Sequence, residues 1–213
     1  MASGAIVVNW QSTRASSIFS KWIIDDAKFK VLLPGRLTNW KGQLNFIEAL
    51  NILIEDYKSD KFQAIILGSD QGRSVYKKKL QSLIDRYNIN KKIIFVEHCK
   101  EMPLAYATAD IVVSSSIEPE AFGRVSVEAQ SMQKMIVASN LGGSNETVID
   151  GKTGILFEAG NSDELSEKII KVMNMDPDEL LEMGINGREN AVKKFNVEKM
   201  CFSTYSEYKK LFN

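Results

Sequence analysis

The chain has 213 residues, 44% of them hydrophobic, which suits one large domain with a sizeable core and short appendages. Lys plus Arg and Asp plus Glu each number 27, so no global basic field points to nucleic acid or an anionic membrane, and any positive patch must be local. Two distant cysteines, Cys99 and Cys201, and a single histidine argue against a zinc site and read as reduced thiols of a cytoplasmic protein. No apolar run approaches the roughly 20 residues that span a bilayer, and the start of the chain lacks the basic and apolar regions of a signal peptide.

Residues 1–29 read as a lead-in. Within them Ile6-Val7-Val8 suggests a short strand, and Ser16 to Asp26 has helical spacing through Ile18, Phe19, Trp22 and Ile23. Residues 30–195 are regular. Val31 to Gly35, Ala64 to Gly68, Ile93 to Val96, Ile111 to Ser114, Met135 to Ser139 and Gly154 to Phe157 are short apolar runs. Between them lie helical patterns: Leu44 to Tyr57, Ser74 to Tyr87 with Val75, Leu80, Leu83 and Ile84 facing inward, a short one near Pro103 to Thr108, and Gly123 to Met132. Asp163–Met173 and Pro177–Lys194 complete this set, and residues 196–213 form a last helix whose Tyr205, Tyr208 and Phe212 share a face. Strands that are apolar throughout are buried on both sides, and their alternation with helices points to βαβ units. The expected fold is therefore α/β: a doubly wound, Rossmann-like parallel sheet of about six strands, with ligands beyond the strand carboxyl ends.

Three groups of residues follow predicted strands. Gly35-Arg36-Leu37-Thr38-Asn39-Trp40-Lys41-Gly42 sets a guanidinium and an ammonium where a diphosphate could be gripped; away from a strand end they would read as solvated loop cations. Glu118-Pro119-Glu120-Ala121-Phe122-Gly123-Arg124 leads into a helix, whose free amides and positive dipole end favour phosphate. Glu120 and Glu128 bracket that turn, with seven residues between them. Carboxylates would repel a phosphate, so they fit better as acceptors for hydroxyls, and the combination suggests a nucleotide-sugar site. Gly68-Ser69-Asp70-Gln71-Gly72 is no G-x-G-x-x-G fingerprint, which disfavours a nicotinamide or flavin enzyme. A lone His98 is more often structural than catalytic, and Lys77-Lys78-Lys79 reads as a solvated face.

Together these residues resemble the C-terminal, donor-binding half of retaining glycosyltransferases with the GT-B fold, the large family 4 group. The resemblance spans about residues 30–212 and rests on Gly35-Arg36…Lys41-Gly42, on Glu120-Ala121-Phe122-Gly123…Glu128-Ala129, and on Ala138-Ser139…Gly142-Gly143…Glu146 with Gly151…Gly154. It implies that Arg36 and Lys41 hold the donor diphosphate and stabilise the departing charge. The amides of Phe122, Gly123 and Arg124 assist, Glu120 binds the sugar and so counts with the two cations as catalytic, Glu128 takes the ribose, and Gly68 and His98 line the base. No metal and no cofactor are implied, only a nucleotide-diphosphate sugar as substrate.

Complete enzymes of this kind carry a second domain with the acceptor site and a catalytic-loop histidine, neither of which has a counterpart here. The chain alone is thus expected to bind nucleotide weakly and to transfer no sugar to its glycan or lipid-linked acceptor. The whole enzyme would be cytoplasmic, at most peripheral at the inner face of a membrane. The alternative is a nucleotide-sugar-binding module or a partner subunit; an epimerase or phosphorylase of the same architecture ranks lower. The aromatic last helix, which in complete enzymes crosses to the first domain, is expected to pack on another copy or fold back on the domain, and residues 1–29 could join it.

Overall fold

The computed structural model describes Trp22, Ile24, Asp25 and residues 27–72 and 74–212. The suggested strand at Ile6-Val7-Val8 and most of the Ser16 to Asp26 helix lie outside these residues. Of that helix Trp22 is helical and buried, and it packs against the sheet with Leu32, Ile65 and Val112.

Among the described residues six strands form a single parallel sheet: β1 (Phe29–Pro34), β2 (Phe62–Leu67), β3 (Ile93–Val96), β4 (Ile111–Ser114), β5 (Met135–Ser139) and β6 (Ile155–Phe157), in the order β3-β2-β1-β4-β5-β6. Their register is continuous, with Leu33 opposite Ile66, Val31 opposite Ile111 and Val113 opposite Val137. Alternate side chains serve opposite faces, as the two-residue period of a strand requires. Val31, Leu33, Ile66, Val113 and Val137 enter one core, whereas Leu32, Ile65, Val112, Ile136 and Ala138 enter the other. That division explains why the strands read as unbroken apolar runs.

The first core is covered by α1 (Gln43–Glu55), α2 (Ser74–Arg86) and α6 (Ser162–Met173), through Phe46, Leu50, Leu80, Leu83, Leu165 and Ile169. The second is covered by α3 (Met102–Thr108) and α4 (Arg124–Ser131), through Leu104, Tyr106 and Ala129. Next come α5 (Ser144–Thr147) and α7 (Pro177–Lys194). Asn190 on α7 donates to Gln130 Oε1 and to the Thr147 carbonyl, both at 3.0 Å, so α7 braces α4 and α5 together.

One expectation fails, and so does one of the two alternatives for the last helix. Val75, expected on the inner stripe of α2, is 81% exposed. It lies about 140° around the helix from Leu80, off the narrow face that Leu80, Leu83 and Ile84 bury. The last helix, α8 (Val197–Leu211), does not fold back on the domain, for none of its residues is buried. Phe202, Tyr205, Tyr208 and Phe212 all stand exposed, because α8 leaves the domain after Phe195 with no described element beside it.

The chain runs outward from β1 through β2 to β3, then returns to place β4 on the other side of β1. The connections after β1 and after β4 therefore diverge from neighbouring strands, and such a switch point leaves a crevice at the carboxyl edge.

Candidate functional site

The crevice is a cleft of about 470 Å³, within the roughly 300–1,000 Å³ of small-molecule sites. Arg36, Trp40 and Lys41 line it from the loop after β1, and Gly68 and Ser69 from the end of β2. His98, Cys99 and Met102 close it beyond β3, with Tyr106 behind them, and Glu120, Arg124 and Glu128 come from the loop after β4 and from α4. A wider depression, about 860 Å³, opens at the opposite, amino-terminal ends of the strands around Phe29, Asp110 and Met135, and it shares no residue with the three motifs.

Local bonding holds the two loops together. The Ile117 amide donates to the Trp40 carbonyl at 2.8 Å, and Ser115 Oγ donates to the Lys41 and Gly42 carbonyls, each at 3.1 Å. The Arg36 carbonyl accepts from Gln43 Nε2 at 2.8 Å, and Gln43 in turn accepts from the Tyr76 hydroxyl at 3.1 Å. The backbone of Arg36 is thereby anchored while its side chain stays exposed. Trp40 lies near both cations: its ring centre is 4.5 Å from Lys41 Nζ and 6.0 Å from Arg36 Cζ.

The cationic loop and the first carboxylate meet directly. Lys41 Nζ lies 2.6 Å from Glu120 Oε1, with only 13% and 14% of the two side chains exposed, and Ser116 Oγ donates to the same carboxylate oxygen. The main chain of Glu120 is fixed from behind, where its carbonyl accepts from the Gly143 amide at 2.7 Å. Gly142-Gly143, the third motif, thus supports the second rather than lining the cleft. Glu128 accepts a hydrogen bond from the Tyr106 hydroxyl at 2.7 Å. Burial first, and the neighbouring Glu128 charge second, push the Tyr106 phenol far above its usual range, so it remains a donor at any ordinary pH.

Gly123 sits at the N-cap of α4 with φ 72°, a left-handed conformation that glycine adopts without strain. The first turn of α4 presents amides that have no partner within the helix, and Arg124 and Val125 from that turn line the cleft. Polarity of this kind suits an anion between Arg36, Lys41 and the helix start, with hydroxyl-bearing groups beside Glu120 and Glu128.

Of the residues singled out from sequence, Arg36, Lys41, Gly68, His98, Glu120, Arg124 and Glu128 share this one cleft. Phe122 and Gly123 are not among its lining residues. Phe122 turns outward, 46% exposed, and its ring packs edge-on against Phe195 with centroids 5.7 Å apart. Sequence reasoning missed Trp40, Ser116 and Tyr106. Tyr106 carried a readable signal, since a tyrosine in a short, mostly apolar helix must find an acceptor for its hydroxyl. Among the described residues, no three His, Cys, Asp or Glu side chains converge to hold a metal ion, and no helix is long and apolar enough to cross a membrane.

Known proteins resemble this chain in sequence and fold. The family model described as Glycosyl transferases group 1 matches residues 15–190. The capsular polysaccharide biosynthesis glycosyltransferase CapM of Staphylococcus aureus is 26% identical over 170 residues, covering 79% of this chain and 42% of CapM. A solved glycosyltransferase from Rickettsia africae superposes with a TM-score of 0.90 at 27% identity, over 97% of this chain and 54% of that one. HepE of Anabaena, solved in complex with UDP and glucose, superposes with a TM-score of 0.85 at 28% identity, over 93% of this chain and 53% of HepE. The chain therefore spans about half the length of the relatives it matches.

Proposed function

The chain belongs to the glycosyl transferases group 1 family, and on that premise we propose that it is the donor-binding half of an enzyme that moves a sugar from a nucleoside diphosphate to a glycan or lipid-linked acceptor. Arg36, Lys41 and the amides that open α4 take the diphosphate, those of Phe122, Gly123 and Arg124 among them. Glu128 takes the ribose hydroxyls, Glu120 those of the sugar, and the edge formed by Gly68 and His98 takes the base. As the sugar leaves, negative charge grows on the diphosphate, and fixed cations with a helix start stabilise that charge more than they stabilise the intact donor. Retention at the anomeric carbon belongs to the same reading, and so do residues 30–195 as the binding unit with α8 as a docking helix. No metal enters the scheme.

One observation carries the proposal: Arg36, Lys41, Glu120 and Glu128, from separate parts of the chain, line a single cleft at the switch point of the sheet. The UDP and UDP-glucose complexes of HepE support it by likeness.

A thermal-shift screen with UDP, GDP, ADP and their sugars tests it. A ligand at 100 times its dissociation constant stabilises by about 2.7 kcal/mol, so one nucleotide series is expected to raise the melting temperature clearly. Arg36→Ala and Lys41→Ala should each abolish most of that rise; a rise that survives both would place the diphosphate elsewhere. Sugar transfer is expected only after mixing with a separately made acceptor-binding half, and transfer by this chain alone would overturn that part of the proposal.

A further inference from the structure

We propose that Tyr106 is a positioning residue: through its hydroxyl it fixes Glu128 in the orientation that receives the ribose diol of the nucleotide. The inference rests on the donor-binding reading above and extends it to a residue that has no part in any of the three motifs.

Tyr106 comes from α3 and Glu128 from α4, two helices on the same face of the sheet. The tyrosine is 1% exposed, and its ring is packed in the core with Leu104, Val112 and Ala129. Its one polar atom emerges at the cleft wall and donates to Glu128 Oε2 at 2.7 Å. A glutamate on the first turns of a helix would otherwise sample several rotamers at the rim of an open cleft. Here one carboxylate oxygen is held by a hydroxyl whose ring is buried in the core.

Among the described residues, the only hydrogen bond to this carboxylate is the one at Oε2, and an ionised carboxylate oxygen such as Oε1 can accept from two hydroxyls at once. A vicinal diol offers two such donors. The phenol spends its only proton on Glu128, so it has none to donate to a ligand and acts through the carboxylate alone. A hydroxyl buried only for packing could have been satisfied by a main-chain carbonyl, as Thr108 is by Ala105. In this cleft the partner is instead one of the two carboxylates facing the ligand space.

The test uses the full chain and whichever of UDP, GDP and ADP gives the largest thermal shift, paired with its 2′,3′-dideoxy analogue. Affinities are measured by calorimetry for wild type, Tyr106→Phe and Glu128→Ala. Wild type should favour the diol-bearing nucleotide by tenfold or more, the order expected of hydrogen bonds to a charged group. Glu128→Ala should remove that preference. Tyr106→Phe, which deletes one oxygen and leaves the packing intact, should reduce it to about twofold while barely changing affinity for the dideoxy analogue. Equal weakening of both ligands by Tyr106→Phe would make the tyrosine a packing residue only and overturn the proposal. A preference lost in Glu128→Ala but intact in Tyr106→Phe would do the same while leaving the functional reading standing. Failure of all three nucleotides to bind would remove both.

Discussion

Glu120 is held twice over, by Lys41 and Ser116 at its carboxylate and by the Gly143 amide at its main-chain carbonyl. Lys41→Ala therefore does two things: it removes the cation proposed to meet the diphosphate and leaves a carboxylate, 14% exposed, without its partner. The second effect destabilises by itself, so each variant's ligand response has to be read against its own unliganded melting temperature. The support behind Glu120 is tested separately. A Cβ on Gly143 would lie 2.3 Å from the Phe122 carbonyl carbon, and main chain cannot swing aside as a flexible side chain can. Gly143→Ala is expected to cost about 1–3 kcal/mol in chemical denaturation, as overpacking does, and to weaken nucleotide binding with it. Gly151 is a useful contrast, with φ 70° and nothing within 4 Å of an added Cβ. Gly151→Ala should cost only the left-handed strain of about 1–2 kcal/mol and leave binding alone. At this scale the sequence exposed the chemical types of the candidate site, because Arg36, Lys41 and Glu120 follow apolar runs and Glu128 lies on the helix that the last of those loops opens. It concealed the pairings. Lys41 and Glu120 are 79 residues apart, and only the sheet order brings their loops together.

Elements were legible wherever a buried stripe or a capping residue marks them. α6 begins where the Asn161 side chain accepts from the Glu164 amide, α7 where Asp176 accepts from Asp178, and α8 where Asn196 accepts from Lys199. Helical spacing alone does not prove an inner face. Val75 has an apolar side chain on a helix whose buried side is elsewhere. The aromatic spacing of α8 is real, yet the described domain offers it no groove. A 15-residue helix without tertiary packing is marginal in water, so α8 adds little to the stability of what precedes it. Removing residues 196–213 should change the unfolding free energy by less than about 1 kcal/mol. It should also improve solubility, since it deletes exposed Phe202, Tyr205, Tyr208 and Phe212. A large loss of stability on truncation, read by thermal melting, would mean that α8 packs on the domain after all.

The whole molecule was readable as a class from its alternation of apolar runs and helices, and that class is what the sheet shows. The strand order was not readable, because parallel pairing leaves no local signal of which strand lies beside which. Balanced charge, 27 of each sign, has a kinetic consequence when it is set beside the Lys41–Glu120 pair. An incoming polyanion meets no long-range pull from the protein as a whole, and one of the two cations that would receive it already shares its charge with a carboxylate. Capture should then be governed by diffusion and orientation, with rate constants in the ordinary range of about 10⁵–10⁷ M⁻¹s⁻¹ rather than the steered one. Stopped-flow traces across a series of ionic strengths should show an on-rate that scarcely changes; a steep fall with added salt would reveal a stronger local field than this pairing allows. Selectivity among circulating anions would rest on how long each one stays, because free phosphate and the true donor would knock at this door equally often.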